Sequence, residues 1–500
     1  MDKKKGAINV GVSIAFKLVI LVTNILVRRF LIQYIGNEIN GLNSLYASIL
    51  DFLSVAELGV GSAITFCMYK PIVEKDFDKV SALYGLFTKL YLIIGGIILL
   101  GGCILMPLLP YLAKGYQNTN VNLYVTFGLM LISVVISYLF SSKTSLINAY
   151  KNNYITTTVS SVGILLQGGM QIVVLICTKS FMWFLLCRII AAVLQWSVTE
   201  LIARMRHGDI IKNKQKVDDD TKKVVVRNVK AMFMHKIGGV LVNTADSLII
   251  SAFIGIVVLG KYSNYVTVMT AMVGVLTLCF TPLTSVIGHM VAEENGDAVR
   301  KYHNFFHTFN FVLGVVFFLG YYAVIDNFVT LFFGENLEMM RTISFVITLN
   351  YFIQFLRQAT ILFRDATGTF YNDRWKPLCE GLLNIGLSIL FVLVFPEKYN
   401  VVGVIAATIL TNLFICHIVE PHVLYKYAFR SSAKSYYVKN FAYILIFAAA
   451  LTVVHFCMVS FADQWLMLLA NGGIAIGIAI AVCLPTVLCN KDFRRYVKKR

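Results

Sequence analysis

Ionisable side chains inside long apolar stretches are the residues of this chain best placed to do chemistry. Near the start, Lys17, Asn24 and Arg28 are spaced seven and four residues apart, which places them on one face of a helix. Arg29 lies about 100° further round the same helix. Cations at membrane depth suit an anionic ligand, because Lys supplies a point charge and Arg supplies bidentate hydrogen bonds. The pattern predicts a binding face for an anionic group.

The same polar stripe recurs later in the chain. Lys236 follows Lys17, and Asn243 follows Asn24, at one offset of 219 residues. Two such stripes on repeat-related helices are expected to face a shared central cavity. The alternative is that Arg28 and Arg29 extend to the outer membrane surface and Lys17 to the inner one. The predicted substrate-binding residues are Lys17, Asn24, Arg28, Arg29, Lys236, Asn243 and Arg357.

Three intramembrane acids, Asp51, Glu57 and Asp246, are predicted to bind a coupling cation. The alternative for them is a structural ion pair, for Glu57 with Lys17 or Arg28. Glu200 and Glu420 lie near predicted helix ends and are interpreted as interfacial. Arg188 and Glu380 are weaker candidates for functional ionisable residues inside the membrane. Isolated histidines such as His417 and His455 are interpreted as hydrogen-bonded core residues or as interfacial residues.

The composition of the chain indicates which secondary-structure elements carry these residues. The chain is 58% hydrophobic and 14% charged. In soluble proteins about half of the residues are apolar and about a quarter are charged. Apolar runs long enough to cross a bilayer are predicted at 8–32, 42–68, 83–110, 122–141, 156–177, 182–202, 231–254, 263–288, 304–325, 342–363, 378–395, 401–424, 441–460 and 466–489. We predict an all-α polytopic membrane protein with about fourteen transmembrane helices.

A duplication organises these helices. Gly36 and Gly255, and also Tyr46 and Tyr265, match at the same offset as the polar stripes. The repeat predicts an N-terminal six-helix lobe at 1–205, a cytoplasmic linker at 206–230 and a C-terminal six-helix lobe at 231–425. Two additional transmembrane helices at 426–490 and a basic cytoplasmic tail at 491–500 follow. Because six is even, both copies enter the membrane in the same direction, as a parallel repeat does.

Charge placement predicts the orientation. The net charge is +18, but only five of the 44 Lys and Arg residues fall in predicted outer loops, namely Lys114, Lys179, Lys261, Arg341 and Lys398. This asymmetry follows the positive-inside rule and predicts that both termini are cytoplasmic. It also argues against nucleic acid as a partner. The basic start is interpreted as a retained first helix, because no cleavage site follows it.

Catalytic and metal-binding patterns are missing from the sequence. There is no phosphate-binding loop, no GxSxG elbow and no HExxH pair, and the ten cysteines lack ligand spacing. The predicted outer loops are short, which disfavours a membrane polysaccharide polymerase or glycosyltransferase. The sequence therefore predicts a protein that is not an enzyme and that uses no cofactor and no metal.

Two segments carry a resemblance to a known family. RRFLIQYIGNEINGLNSLYASILDFLSVAELGVGSAI and YKPIVEKD, both within residues 28–76, resemble polysaccharide flippases of the multidrug/oligosaccharidyl-lipid/polysaccharide exporter superfamily. The similarity is greatest to the Wzx-like transporters of O-antigen and capsule repeat units. Lys17 and Arg28 occupy places comparable to first-helix cations of the related murein-precursor flippases, although the spacing differs. The last helix pair is expected to form a groove for a lipid tail.

The resemblance implies a flippase of the bacterial inner membrane that works by alternating access. Its substrate would be an undecaprenyl-diphosphate-linked oligosaccharide repeat unit, moved from the inner to the outer leaflet for cell-surface polysaccharide biosynthesis. Membrane lipids, a proton or sodium ion, and polysaccharide-assembly proteins are the other partners implied. The alternative within the same fold is a cation-coupled multidrug antiporter, which would favour a predominantly acidic cavity.

Overall fold

The computed structural model describes residues 3–57, 60–213, 215, 217–218, 222–223, 225, 237–242, 244–280, 283–293, 296–489 and 494. These residues form helices and their connections, with no strand among them. The helices in chain order are α1 Lys3–Ile35, α2 Asn37–Leu53, α3 Val60–Glu74, α4 Phe77–Leu105, α5 Leu109–Leu112, α6 Leu123–Ala149, α7 Asn153–Thr178, α8 Phe181–Lys212, α9 Ile237–Ile254, α10 Ile256–Phe280, α11 Leu283–Glu293, α12 Gly296–Phe333, α13 Arg341–Leu356, α14 Gln358–Ala366, α15 Lys376–Val394, α16 Asn400–Thr411, α17 His417–Val423, α18 Lys434–Cys457 and α19 Gln464–Cys489.

Twelve helical stretches of the described chain are long and apolar enough to cross a membrane. They begin at Phe77 and end at Leu488, so they account for the last twelve predicted spans. The first predicted span lies within α1. The second is divided between α2 and α3, with a 3-10 turn at Ser54–Glu57. The chain is a multi-pass membrane protein, and the fourteen-helix prediction agrees with its architecture.

The duplication read from the sequence is also a duplication of structure. Helix α2 begins at Asn37 and α10 at Ile256, and α4 begins at Phe77 and α12 at Gly296. Each pair of starting residues differs by the same offset as the sequence matches. The residue before α2 is Gly36, with φ 110° and ψ 164°. Its repeat partner Gly255 precedes α10 with φ 137° and ψ 163°.

A backbone with such positive φ strains any residue that carries a Cβ, which explains glycine at both positions. Each glycine ends one long helix and starts the next in a new direction. The two copies of the repeat therefore share a helix break at the equivalent glycine as well as a pattern of apolar residues.

Two further repeat-related glycines lie at a close crossing within the first structural unit. A Cβ on Gly41 would lie 1.9 Å from the carbonyl oxygen of Ile256, and one on Gly260 would lie 2.4 Å from that of Asn37. The Asn40 side-chain amide donates to the carbonyl of Gly260 at 3.1 Å. The start of α2 thus contacts the start of α10 backbone to backbone, which requires residues without side chains.

Buried tyrosines mark equivalent places in the two copies. Tyr46 is fully buried, and its hydroxyl contacts the Leu123 carbonyl at 3.1 Å and the Thr126 hydroxyl at 2.9 Å. Tyr265 is also fully buried and donates to the Asp326 carboxylate at 2.9 Å. Each tyrosine satisfies its hydroxyl inside the bundle, as a buried polar group requires.

The chain divides into two compact units, residues 1–260 and 261–500. In the first unit, α6 packs on α4 and α8, and α7 packs on α1 and α8. In the second unit, α12 packs on α13 and on the additional helices α18 and α19. Asn327 of α12 donates to Gln464 of α19 at 2.8 Å. The predicted lobe limits at 205 and 231 stay a prediction.

Candidate functional site

The polar stripe of α1 leaves two predicted binding residues exposed. Lys17 and Asn24 are both exposed, whereas Arg28 is half-buried. Helix α7 covers a neighbouring face of α1, because a Cβ on Gly168 would lie 2.4 Å from the Thr23 Cγ2 atom. Lys17 makes no ion pair within the described part of the chain. Its ammonium is therefore open to an external anionic group.

The remaining members of the two stripes differ in their surroundings. Arg28 and the exposed Arg29 both make interactions within the protein. Lys236 and Asn243 lie outside the described residues, so their positions stay a prediction. Asp246 on α9 is 9% exposed and also has an interaction within the protein.

Asp51 and Glu57 both lie near Tyr138 of α6 in the first unit. Asp51, near the end of α2, is exposed and is attracted electrostatically to Arg188 of α8. Glu57 accepts a hydrogen bond from the Tyr91 hydroxyl of α4 at 3.3 Å. The two acids thus share one polar region between α2, α4, α6 and α8.

Arg357 lies in a buried ion pair of the second unit. At the junction of α13 and α14, its guanidinium donates to both carboxylate oxygens of Glu420, at 2.6 Å from Nη2 and 3.0 Å from Nε. It also donates to the amide oxygen of Asn412. The Glu420 side chain is 1% exposed. This bidentate geometry is the strongest form of a charge-assisted hydrogen bond between side chains.

Glu420 also accepts from Lys376 of α15 at 2.6 Å, and Lys376 pairs with Glu380 at 3.1 Å. Arg364 of α14 binds Asp373 at 2.8 Å and lies 3.8 Å from Glu420. We call this set the 357–420 ion cluster; its members are Arg357, Arg364, Lys376, Asp373, Glu380 and Glu420.

Three cations meet three buried acids in the 357–420 ion cluster, and Arg364 also binds the exposed carboxylate of Asp365 at 3.0 Å. Pairing is what allows charges to persist away from water, because each unpaired ion would carry a desolvation cost of several kcal/mol. Arg357 is therefore a structural partner of Glu420, and its contact with a substrate stays a prediction. Glu420 is buried in the protein, and helical structure continues past it to Ala428. Its interfacial depth in the membrane stays a prediction.

The first unit contains a smaller counterpart of the 357–420 ion cluster. Lys143 of α6 pairs with Glu200 of α8 at 2.6 Å, and Arg204 pairs with the same glutamate at 2.5 Å. The separation of Lys143 and Glu200 along the chain is nearly that of Arg364 and Glu420. Both copies of the repeat thus hold a cation–glutamate bridge between equivalent helices.

A cavity of about 740 Å³ opens beside the Lys143–Glu200 bridge. Lys89, Lys143, Arg204 and Lys222 line it together with Glu200, so cations exceed acids there. Such a surface suits phosphate or carboxylate groups. In the sequence, Lys89 is interpreted as interfacial, and Lys143 and Lys222 are not candidates.

A buried hydrogen-bond network in the second unit was also missed. His307 of α12 lies 3.2 Å from the Asn440 amide oxygen, and Asn440 lies 2.9 Å from His417. His303, one turn before His307, lies 3.3 Å from the Thr360 hydroxyl. The spacing of His303 and His307 places both rings on one helix face, and that spacing was the available signal.

Solved structures resemble this architecture over nearly its whole length. A structure described as the lipid II flippase MurJ in an inward closed conformation matches with a TM-score of 0.64 at 15% identity, covering 96% of this chain and 98% of its own. This chain has the same fold as that flippase. An inward-facing multidrug resistance MATE family transporter of the MOP superfamily matches with a TM-score of 0.58 at 14% identity.

The match to that MATE structure covers 83% of this chain and all of its own chain. An outward-facing MATE structure matches with a TM-score of 0.52 at 14% identity, covering 90% of this chain and 97% of its own. No protein-family model and no curated protein matches the sequence. At these identities the likeness defines the fold.

Proposed function

We propose that this protein is a flippase for lipid-linked oligosaccharides. It moves undecaprenyl-diphosphate-linked repeat units from the inner to the outer leaflet of a bacterial inner membrane, by alternating access. The coupling ion is a proton or a sodium ion, held by Asp51, Glu57 or Asp246. The observation that carries the proposal is the exposed Lys17–Asn24 face of α1, which sits in a transporter fold shared with a lipid II flippase.

The physics of the cargo explains why such a face is needed. A diphosphate joined to polar sugars cannot enter hydrocarbon unaided, because its charges would lose their hydration. A water-filled cavity with cationic side chains replaces that hydration, while the polyprenyl tail stays in the lipid. Lys17 supplies such a cation without a resident acidic partner in the described chain.

Coverage of the solved structures favours a flippase over a multidrug antiporter. The match to the lipid II flippase covers 96% of this chain, whereas the matches to the two MATE transporters cover 83% and 90%. A cavity for cationic drugs would also be expected to expose acids, whereas α1 exposes Lys17 and Arg29. The antiporter therefore remains the second candidate.

The test is reconstitution of the protein in vesicles with a labelled undecaprenyl-diphosphate-linked oligosaccharide. Appearance of the sugar in the opposite leaflet is followed with a membrane-impermeant glycosidase. Lys17→Gln and Lys236→Gln should each slow flipping, and the Glu variants should slow it more because they repel the diphosphate. Arg at either position should retain part of the rate, because the charge persists. Lys301→Gln, an exposed lysine of α12, is the matched control.

Measuring thermal stability together with transport shows whether Lys17 and Lys236 bind the substrate or stabilise the fold. A cation whose partner is a visiting substrate can be neutralised at little cost to folding, whereas breaking a resident pair costs about 3–5 kcal/mol. Normal flipping by the double Gln variant would remove both lysines from the site. Drug uptake driven by an ion gradient, without any flipping, would instead support the antiporter.

A further inference from the structure

A second basic cavity lies in the second unit, at the turn that joins α17 to α18. Its volume is about 660 Å³. The charged or basic side chains that line it are His422, Lys426, Arg430 and Lys434, and no carboxylate of the described chain lines it. All four are exposed. The cavity therefore presents positive charge and N–H donors to whatever enters.

The backbone of this turn is built so that its cations converge. The turn Leu424–Ala428 ends the helix, and Arg430 follows with φ 49°, in the left-handed region. The Ser431 amide then donates back to the Tyr425 carbonyl at 3.0 Å. This reversal directs the chain into α18, whose first residue is Lys434. Ser431 lines the cavity, and its hydroxyl oxygen is buried without a hydrogen-bond partner among the described residues.

The cations of this cavity differ from those of the 357–420 ion cluster. There, Arg357, Arg364 and Lys376 are all paired with acids. Within the described part of the chain, Arg430 and Lys434 form no ion pair. A group of unpaired cations around an unsatisfied hydroxyl is suited to an acceptor-rich anion such as phosphate.

An exposed apolar stripe continues directly from the cavity along α18. Lys434, Val438, Phe441 and Leu445 recur at helical spacing on one face. Val438 is 74% exposed and Leu445 is 70% exposed. In a membrane-spanning helix such a face contacts acyl chains, so the cations lie where a lipid headgroup would sit above its tails.

We propose that the cavity at residues 422–437 binds the phosphate of an anionic phospholipid. Its acyl chains lie along the Val438–Leu445 face of α18. Arg430 and Lys434 carry the charge recognition, and the exposed His422 and Lys426 add N–H donors from the same cavity. The cavity is lined by residues of the second unit only and uses none of the α1 residues proposed for the transported substrate, so it does not depend on the proposed function.

The test measures lipid binding to delipidated full-length protein in detergent. Dioleoyl phosphatidylglycerol, dioleoyl phosphatidylcholine and inorganic phosphate are titrated separately, and binding is followed by thermal shift and by native mass spectrometry. Arg430→Gln with Lys434→Gln should raise the Kd for phosphatidylglycerol at least tenfold. The charge-preserving pair Arg430→Lys with Lys434→Arg should retain most of the affinity.

The matched control removes two charges elsewhere. Lys75 and Lys151 are exposed loop lysines whose φ values of 57° and 63° resemble that of Arg430, so Lys75→Gln with Lys151→Gln changes charge and backbone context equally. Equal binding of the two phospholipids, or an equal loss in both double variants, would overturn the proposal. Saturation by inorganic phosphate with no preference for phosphatidylglycerol would assign the cavity to a soluble phosphate and overturn the lipid assignment.

Discussion

The crossing of α2 and α10 offers the most demanding test of the structure. Gly41→Ala places a methyl group 1.9 Å from the Ile256 carbonyl oxygen and 3.0 Å from the Gly260 nitrogen. Both obstructing atoms belong to the backbone, so no side chain can rotate away. The two helix starts must separate by about 1 Å or more, since contacts below 3.0 Å are essentially never seen for a Cβ.

The expected cost follows from three contributions. Overpacking of this kind costs about 1–3 kcal/mol. Separation also weakens two amide hydrogen bonds, from Asn37 to Val257 at 2.8 Å and from Asn40 to Gly260 at 3.1 Å, each with a net value of about 1 kcal/mol. Alanine recovers about 1 kcal/mol of helix propensity. The net destabilisation is about 2 kcal/mol, or roughly a thirtyfold change in the folded ratio.

Thermal unfolding in one detergent measures this effect, with an expected fall in Tm of about 5 °C. Gly85→Ala is the matched control, because it also lies inside a helix but has no atom within 4 Å of its added Cβ. The control should keep or slightly raise the Tm. Gly260→Ala, the repeat partner, should behave as Gly41→Ala does. Equal Tm values for Gly41→Ala and Gly85→Ala would show that the crossing is not as close as described.

Three other perturbations test separate features. Glu420→Gln should destabilise the protein by about 3–5 kcal/mol because Arg357 loses its bidentate carboxylate partner. Adding Arg357→Met should recover part of that loss; additive losses, measured as Tm, would contradict a coupled pair. A single cysteine at Asn118 should react with an impermeant reagent from outside, whereas one at Asn213 should react only after permeabilisation; external labelling at 213 would reverse the orientation. Asp246→Asn should abolish transport driven by an ion gradient while substrate binding persists; an unchanged gradient response would make Asp246 structural.

The architecture was accessible from sequence because membrane constraints act on patterns. Apolar runs of sufficient length must be helices, since the backbone has no other way to satisfy its hydrogen bonds in lipid. Gly36 and Gly255 match at the shared offset in the sequence, and the structure gives both the same backbone geometry at a helix break. Gly41 and Gly260 matched at that offset too, but their mutual contact required the folded chain.

The ion cluster could not be read from the sequence because its members are distant along the chain. Arg357 and Glu420 are 63 residues apart, and no local spacing relates them. The burial of Glu420 was not predicted either, because its helical stretch extends further than the apolar run, through π-helical turns at Asn412–Cys416 and Leu424–Ala428. A π-helical turn changes which residues share a face of the helix, and such turns are frequent at functional sites.

The two copies of the cation–glutamate bridge should respond differently to ionic strength. In the first unit the side chains of Lys143 and Glu200 are 14% and 19% exposed, beside an open cavity. In the second unit the corresponding bridge joins Arg364 and Glu420, and their side chains are 13% and 1% exposed. Mobile ions screen charges that water reaches and scarcely affect those it does not. Added salt should therefore weaken the bridge to Glu200 in the first unit and leave the bridge to Glu420 in the second unit unchanged. The second bridge then serves as an internal control for the first.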